Sequence, residues 1–524
     1  MRLPSLLSPL RTRLGLLAAA SVVSLLLPAP AAAQALTDIT SLFVGFSARR
    51  NAAAPAGELK AQLDSLDRDL AVASRFGRTG EVRRLLAKGN VLISGRQWTD
   101  TMDFANSLLI RTDRIVVESG APWSARLEQL YPPTITLSRP LSARVAIRAR
   151  PVGTGVTSRP GAVVKAIGVV DGVSRDLRES PLALELDIRD VPDGTYQLAI
   201  EALDSARILA TTTLTVVVRR GIDDAVTRLE SVAKTAPDAL RAEILFPAER
   251  MRNVNRGRLP LRMLDVEKDF AAADSVVAAV KANTNPFNGR TGDMERHYLL
   301  EAAGEIMPYR LYIPSTYAPS RAMPLIVALH GLGGTEDSFF DSYERKLPPL
   351  AEREGYIVVA PLGYRVDGFY GYGLGTPPAD PAARRAQDLS EEDVMQVLAQ
   401  VRKQYTVDDR RIYLMGHSMG AIGTWRLGAK YPDIWAALGA FAGQGAPTTM
   451  ETMRHIPQFV VHGDADNTVN VRGSRTMTTA MKSLNMDFEY VEVPGGDHNE
   501  IVVPNLEGMF RFFGARKKSP KASP

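Results

Sequence analysis

The spacing of apolar residues along this chain changes three times, and each change marks a different kind of element. From Gly57, "GELKAQLDSLDRDLAVAS" sets Leu59, Leu63, Leu66 and Leu70 at helical spacing, one apolar stripe on a polar helix. The stripe reads as packing within a small helical unit rather than as a partner surface, and a helical region is expected over 36–130. From Thr134 the pattern alternates instead. "ARVAIRAR", "LALELDIRD", "TYQLAIEAL" and "TTTLTVVV", with turn signals such as "VPDGTY" between them, predict a β-sandwich over 131–220, of the size of immunoglobulin-like modules. Helical spacing returns over 221–285, from "IDDAVTRLESVAK" to "AAADSVVAAVKAN", before the linker "NTNPFNGRTGD". This second stretch is expected to pack back on the first, leaving the sandwich as an insertion.

From about 290 the apolar residues gather into short unbroken runs. "MPLIVALHG", "YIVVAP", "RIYLMG", "WAALGAFAG", "PQFVVHG" and "FEYVEVPGG" are mostly separated by helix-like segments. Runs of that length without alternation fit strands covered on both faces, and so predict a doubly wound α/β domain with a mostly parallel sheet over 290–516. "RHYLLEA" and "MPYRLYIP" add an antiparallel pair at one edge.

Composition changes the picture at the ends of the chain. Residues 1–35 read as an export signal: Arg2, Arg11 and Arg13 precede "LGLLAAASVVSLLL", and "APAAAQA" offers small residues for cleavage after Ala33 or Ala35. That apolar run is short for a membrane span, and no later segment is longer, so a chain exported to the periplasm or outside the cell, without stable membrane insertion, is expected. The net charge of +5 belongs to the ends, in the three arginines of the leader and the four basic residues of "RKKSPKASP". A near-neutral body does not suit a nucleic-acid partner, and 517–524 reads as a disordered basic tail. There is no cysteine, which excludes thiol catalysis and cysteine-bound zinc. All six histidines (His297, His330, His417, His455, His462 and His498) lie in the C-terminal half, with no HExxH-type pair, so neither a metal nor a cofactor is expected.

Candidate chemistry centres on "YLMGHSMGAIGTW". Gly416-His417-Ser418-Met419-Gly420 falls where the strand "RRIYLM" turns into the helix "GAIGTWRLGAKY". A sharp strand-to-helix turn presents a serine hydroxyl above the sheet, and the glycines let strand and helix approach. A serine needs a base to become a nucleophile, and the base needs a carboxylate to orient it. Two later loops supply them in the order Ser…Asp…His: "HGDADNTV" carries Asp466 and "PGGDHNE" carries His498. Asp464 reads as a turn former, and Asp497, adjoining His498, is set aside. Backbone N–H groups of Met419 and of Leu332, in "HGLGG", are the expected oxyanion donors. His330, Phe369, Tyr370 and Tyr372 are candidates for a substrate pocket, the last three within the glycine-rich "GYRVDGFYGYGLGTPPAD". His417, His462 and His330 are expected to brace loops around the site.

With these motifs in hand, "YRLYIPSTYAPSRAMPLIVALHGLGG", "DVMQVLAQVRKQYTVDDRRIYLMGHSMGAIGTW" and "VVHGDADNTV" resemble the esterase-type α/β-hydrolases. The likeness is to the polyhydroxybutyrate-depolymerase and feruloyl-esterase-like group, bordering prolyl-oligopeptidase-like hydrolases, and covers about residues 292–514. Ala421 stands where that group often has a second glycine. The resemblance implies a Ser418–Asp466–His498 triad. It also implies an exported serine carboxylic-ester hydrolase acting on a small-molecule or polymer ester. The rivals are a prolyl-oligopeptidase-like peptidase, against which stands the lack of blade-like repeats, and a binding protein with an inert hydrolase domain. Residues before 290 resemble no family, and the sequence leaves the oligomeric state open.

Overall fold

The computed structural model describes residues 31–152, 159–372, 377, 378 and 380–519. The leader expected over 1–35 lies outside the described residues except for its last five, which open the helix Ala31–Ala53. The end of the basic tail, 520–524, lies outside them too.

The C-terminal sheet has eight strands, in the spatial order Gly292–Leu300, Glu305–Ile313, Ile357–Pro361, Met323–Leu329, Val407–His417, Ala437–Phe441, Gln458–Gly463, Phe488–Val493. The first two are antiparallel to their neighbours and the rest run parallel. Every residue of Met323–Leu329 is buried, because helices cover both faces. Leu325, Val327, Ile412 and Leu414 pack with Trp425 and Met477 on one face. Ile326, Ala328, Tyr413 and Met415 pack with Leu350, Leu506 and Phe513 on the other. From Met323–Leu329 the chain goes to one side for Ile357–Pro361, then crosses back to the other for Val407–His417. The strands that carry "HGLGG" and "GHSMG" at their C-terminal ends are therefore neighbours across this reversal, Leu329 pairing with Gly416. Open α/β sheets bind ligands at such a point.

The sandwich begins earlier than expected. Leu108–Thr112, Trp123–Gln129 and Leu182–Leu186 form one sheet, and Val116–Glu118, Arg207–Arg219, Gly194–Asp204, Leu141–Ala149 and Val163–Val173 the other. They share a core that includes Trp123, Leu127, Ile147, Leu198 and Val216. The helical region thus ends at Ser107 rather than near 130. Residues 123–129 do alternate in burial, but Arg126 and Glu128 hide the period, and the two strands before them are only five and three residues long. At the other end of the chain, the expected disordered tail is tied down as far as Lys518. Its main-chain N–H donates to the Arg410 carbonyl, and its Nζ to the carbonyls of Asp433 and Ile434.

Leu63, Leu66 and Leu70 close on Phe46 and Leu86 in a small core of their own. The second helical stretch, Ile222–Ala233, Asp238–Asn255 and Val266–Lys281, does not pack back on this unit as expected. Its core instead joins Ile115 and Val116 to Leu362 and Val366 of the α/β domain. Where Asp238–Asn255 meets the sheet edge, buried Glu243 accepts from Arg296 Nε at 2.7 Å and lies 2.6 Å from His297 Nδ1. Glu295 sits 3.5 Å from Nε2, an ion-pair distance, and the ring stacks on Phe246.

Burial alone pushes His297 down, but Glu243 and Glu295 outweigh it and raise the imidazole to about 9. A folded-state value above the ordinary 6.5 stabilises fully below that pH and is lost as pH climbs towards 9. Urea unfolding should show stability falling between pH 6.5 and 9, by about 1.4 kcal/mol per unit of elevation. His297→Phe should unfold more easily at pH 6 and lose this slope; an unchanged slope would remove His297 as its source.

Candidate active site

Ser418 sits at φ 58° and ψ −117°, between the strand Val407–His417 and the helix Met419–Lys430. Left-handed φ is costly for a residue with a side chain, by roughly 1–2 kcal/mol. The turn is held by Ser418 N–H donating to the Phe441 carbonyl at 2.9 Å, and by the Ser418 carbonyl accepting from Ala421 and Ile422. The glycines are required by space. A Cβ at Gly416 would lie 2.2 Å from the Gly420 carbonyl oxygen, and one at Gly420 only 1.9 Å from that of Leu329. Gly331 is also close, as its Cβ would meet Ser418 Cβ at 3.3 Å.

That approach places the "HGLGG" loop over the serine. Gly333 N–H donates to the Val366 carbonyl at 2.8 Å, Gly334 N–H to Gly331, and Arg262 donates to the Gly333 carbonyl. Among the described residues the N–H groups of Leu332 and Met419 have no hydrogen-bond partner. Two unspent donors flank Ser418, as a developing oxyanion requires.

Asp466 and His498 come together: His498 Nδ1 lies 2.7 Å from Asp466 Oδ2. A carboxylate accepts, so Nδ1 carries a hydrogen, and in the neutral ring Nε2 is the lone pair. Asp466 Oδ1 accepts from the N–H groups of Thr468 and Val469, and Oδ2 lies 3.2 Å from His462 Nε2, which donates to the Val469 carbonyl at 2.8 Å. Burial pushes its carboxyl up, but the bonds from His462 and His498 outweigh that and hold it well below the ordinary range. It stays ionised at any working pH. Ser418 and His498 are not hydrogen-bonded among the described residues, and such contacts commonly tighten only with substrate bound.

The neighbouring carboxylates do other work. Asp464 accepts from Gly495 N–H, and Asp497 caps the turn through Asn499 and Glu500 N–H. His417 is 3% exposed, its Nε2 on the His498 carbonyl at 2.8 Å and its Nδ1 on the Tyr343 hydroxyl at 2.9 Å. Burial, then the nearby His498, pushes it down to about 3.

The pocket expectation needs correcting. Tyr370 is fully buried, filling the space over Gly363 and Gly423 and donating to the His330 carbonyl, so it belongs to the core. His330 is buried as well, its Nε2 on the Leu362 carbonyl, where it ties the two loops together. Phe369 is half-buried against the core, and Tyr372 donates to Asp388 with Arg426 over its ring. Sequence reasoning missed Tyr343 and Arg262, which stand far from any motif and carry no local signal. His462, expected to brace a loop, does so through Ser474 Oγ and the Val469 carbonyl, and it also lies 3.2 Å from Asp466 Oδ2.

Residues 301–483 match the Esterase family model. Over this segment the chain is similar to the esterase-type α/β-hydrolases. The chain is 29% identical over 160 residues to a bifunctional acetylxylan esterase/xylanase of Neocallimastix patriciarum, covering 30% of this chain and 21% of that one. It is 32% identical over 142 residues to feruloyl esterase B of Talaromyces stipitatus, covering 27% and 36%. The chain thus spans well under half the length of these curated relatives. Among solved structures, a ferulic acid esterase from Anaeromyces mucronatus overlays with a TM-score of 0.36 at 20% identity, covering 43% of this chain and 90% of that one.

Gly420→Ala should separate the helix from Leu329 and misplace the serine. The expected result is a loss of about 10²-fold or more in esterase rate, with a lowered melting temperature. An unaffected rate would mean that the turn tolerates a Cβ there.

Proposed function

We propose that this protein is an exported serine carboxylic-ester hydrolase working through Ser418, His498 and Asp466. The observation that carries the reading is the Asp466–His498 contact, which leaves a bare Nε2 beside a serine held on a strained turn between two unspent N–H donors. Ser418 Oγ attacks the ester carbonyl while His498 Nε2 takes its proton. Met419 and Leu332 N–H groups receive the oxyanion. The alcohol leaves with the proton from His498, and water, activated by the same nitrogen, releases the acid and restores the serine. Asp466, ionised throughout, holds the tautomer and stabilises the imidazolium.

The names of the relatives point to feruloyl and acetyl esters on a small molecule or polymer as the substrate class. Export is supported by the leader pattern at 1–35, and no helix among the described residues is long and apolar enough to cross a membrane. We also infer that the two-sheet unit is an immunoglobulin-like module, from its size and shared core. A prolyl-oligopeptidase-like peptidase is the second reading, since it would use the same triad. The described region before 290, a sandwich flanked by helices, has none of the radial repeats of a propeller.

Kinetics on p-nitrophenyl acetate, methyl ferulate and a prolyl p-nitroanilide test this. Ester turnover should exceed anilide turnover, Ser418→Ala should be inactive, and Asp466→Asn should lose about 10³–10⁴-fold in kcat. Faster anilide turnover would favour the peptidase, and an active Ser418→Ala would end the serine mechanism.

A further inference from the structure

Tyr343, Glu344 and Arg345 are three consecutive non-glycine residues at left-handed φ, of 51°, 56° and 53°. Single residues visit that region; runs of L-residues do not, unless their surroundings hold them there. What holds this turn is Tyr343. Its ring packs against Phe339 and edge-on to His417, and its hydroxyl reaches His417 Nδ1 at 2.9 Å.

The direction of each bond follows from the acceptors. The His498 carbonyl can only accept, so His417 Nε2, 2.8 Å away, carries the hydrogen. Burial keeps the ring neutral, so Nδ1 is a lone pair and the Tyr343 hydroxyl donates to it. The result is a one-way relay: Tyr343 O–H to His417 Nδ1, His417 Nε2–H to the His498 carbonyl. Among the described residues His498 has no other main-chain hydrogen bond. Its ring is fixed by Asp466 and its backbone by His417.

We propose that Tyr343 and His417 are positioning residues for the base, fixing the His498 backbone so that its bare Nε2 faces Ser418. Neither is hydrogen-bonded to Ser418 among the described residues, and His417 also packs its ring against that of His498, centroids 4.7 Å apart. This rests on the reading of His498 as the base. His417 sets the carbonyl, and Tyr343 sets the tautomer and tilt of His417, at the expense of a strained turn.

The test compares full-length Tyr343→Phe, His417→Leu, His417→Gln and His498→Asn on p-nitrophenyl acetate, with a melting temperature for each. Tyr343→Phe should lower kcat about tenfold, as the loss of one hydrogen bond implies, and His417→Leu about 10²-fold, as misplacement of the base implies, both at unchanged KM. Gln, whose Nε2 can take the place of the imidazole Nε2–H, should restore kcat to within about fivefold of wild type. Full kcat in Tyr343→Phe and His417→Leu beside an inactive His498→Asn would overturn the positioning role alone. An active His498→Asn would overturn the base itself, and the positioning role with it. If His417→Leu melts below the assay temperature, Tyr343→Phe and His417→Gln decide: a kcat loss in Tyr343→Phe with an active Gln variant supports the relay, and full kcat in Tyr343→Phe overturns it.

Discussion

At Gly416 and Gly420 two strands and the start of a helix come closer than any side chain would permit, and the rest of the site follows from that approach. The helix Met419–Lys430 begins directly against the end of Met323–Leu329, so the chain must reverse within one residue, and Ser418 takes the left-handed conformation that reversal demands. The same crowding brings the "HGLGG" loop over the serine and leaves the N–H groups of Leu332 and Met419 pointing where no protein acceptor competes for them. The strained serine and the two unpaired N–H groups beside it are thus two consequences of one packing constraint at the switch point of the sheet.

Around this geometry the electrostatics are simple. Asp466 is buried yet ionised, because Thr468 and Val469 N–H and His498 Nδ1 all bond its carboxylate and His462 lies beside it. His417 and His330 are buried, which pushes both imidazoles down, and their ring nitrogens are spent on the Tyr343 hydroxyl and on main-chain carbonyls. The loops are braced from outside the esterase segment too, since Arg262 reaches the Gly333 carbonyl and the helical core closes over Val366, whose carbonyl holds Gly333. The preceding helices therefore support the "HGLGG" loop directly rather than sitting apart on a linker.

The α/β sheet was legible because a strand buried on both faces writes itself as an unbroken apolar run, and the candidate triad because its loops follow those runs in a fixed order. The start of the sandwich was not, because the charged Arg126 and Glu128 break the visible alternation of Trp123–Gln129. Tyr370 was misplaced for a related reason. A tyrosine among glycines looks like an exposed aromatic, whereas here Gly363 and Gly423 are small so that its ring can be buried against them. Tyr343 was beyond reach, since its contact with His417 depends on a backbone conformation that its own sequence disfavours.

The central claim, that Ser418 is a nucleophile activated by His498, is tested most directly by mass-spectrometric peptide mapping after brief exposure to diethyl p-nitrophenyl phosphate. The expected result is one diethyl phosphoryl group per chain, on the peptide holding Ser418, and no adduct on that peptide in His498→Asn. An unmodified Ser418 in the wild-type chain, or equal modification in the His498 variant, would contradict it.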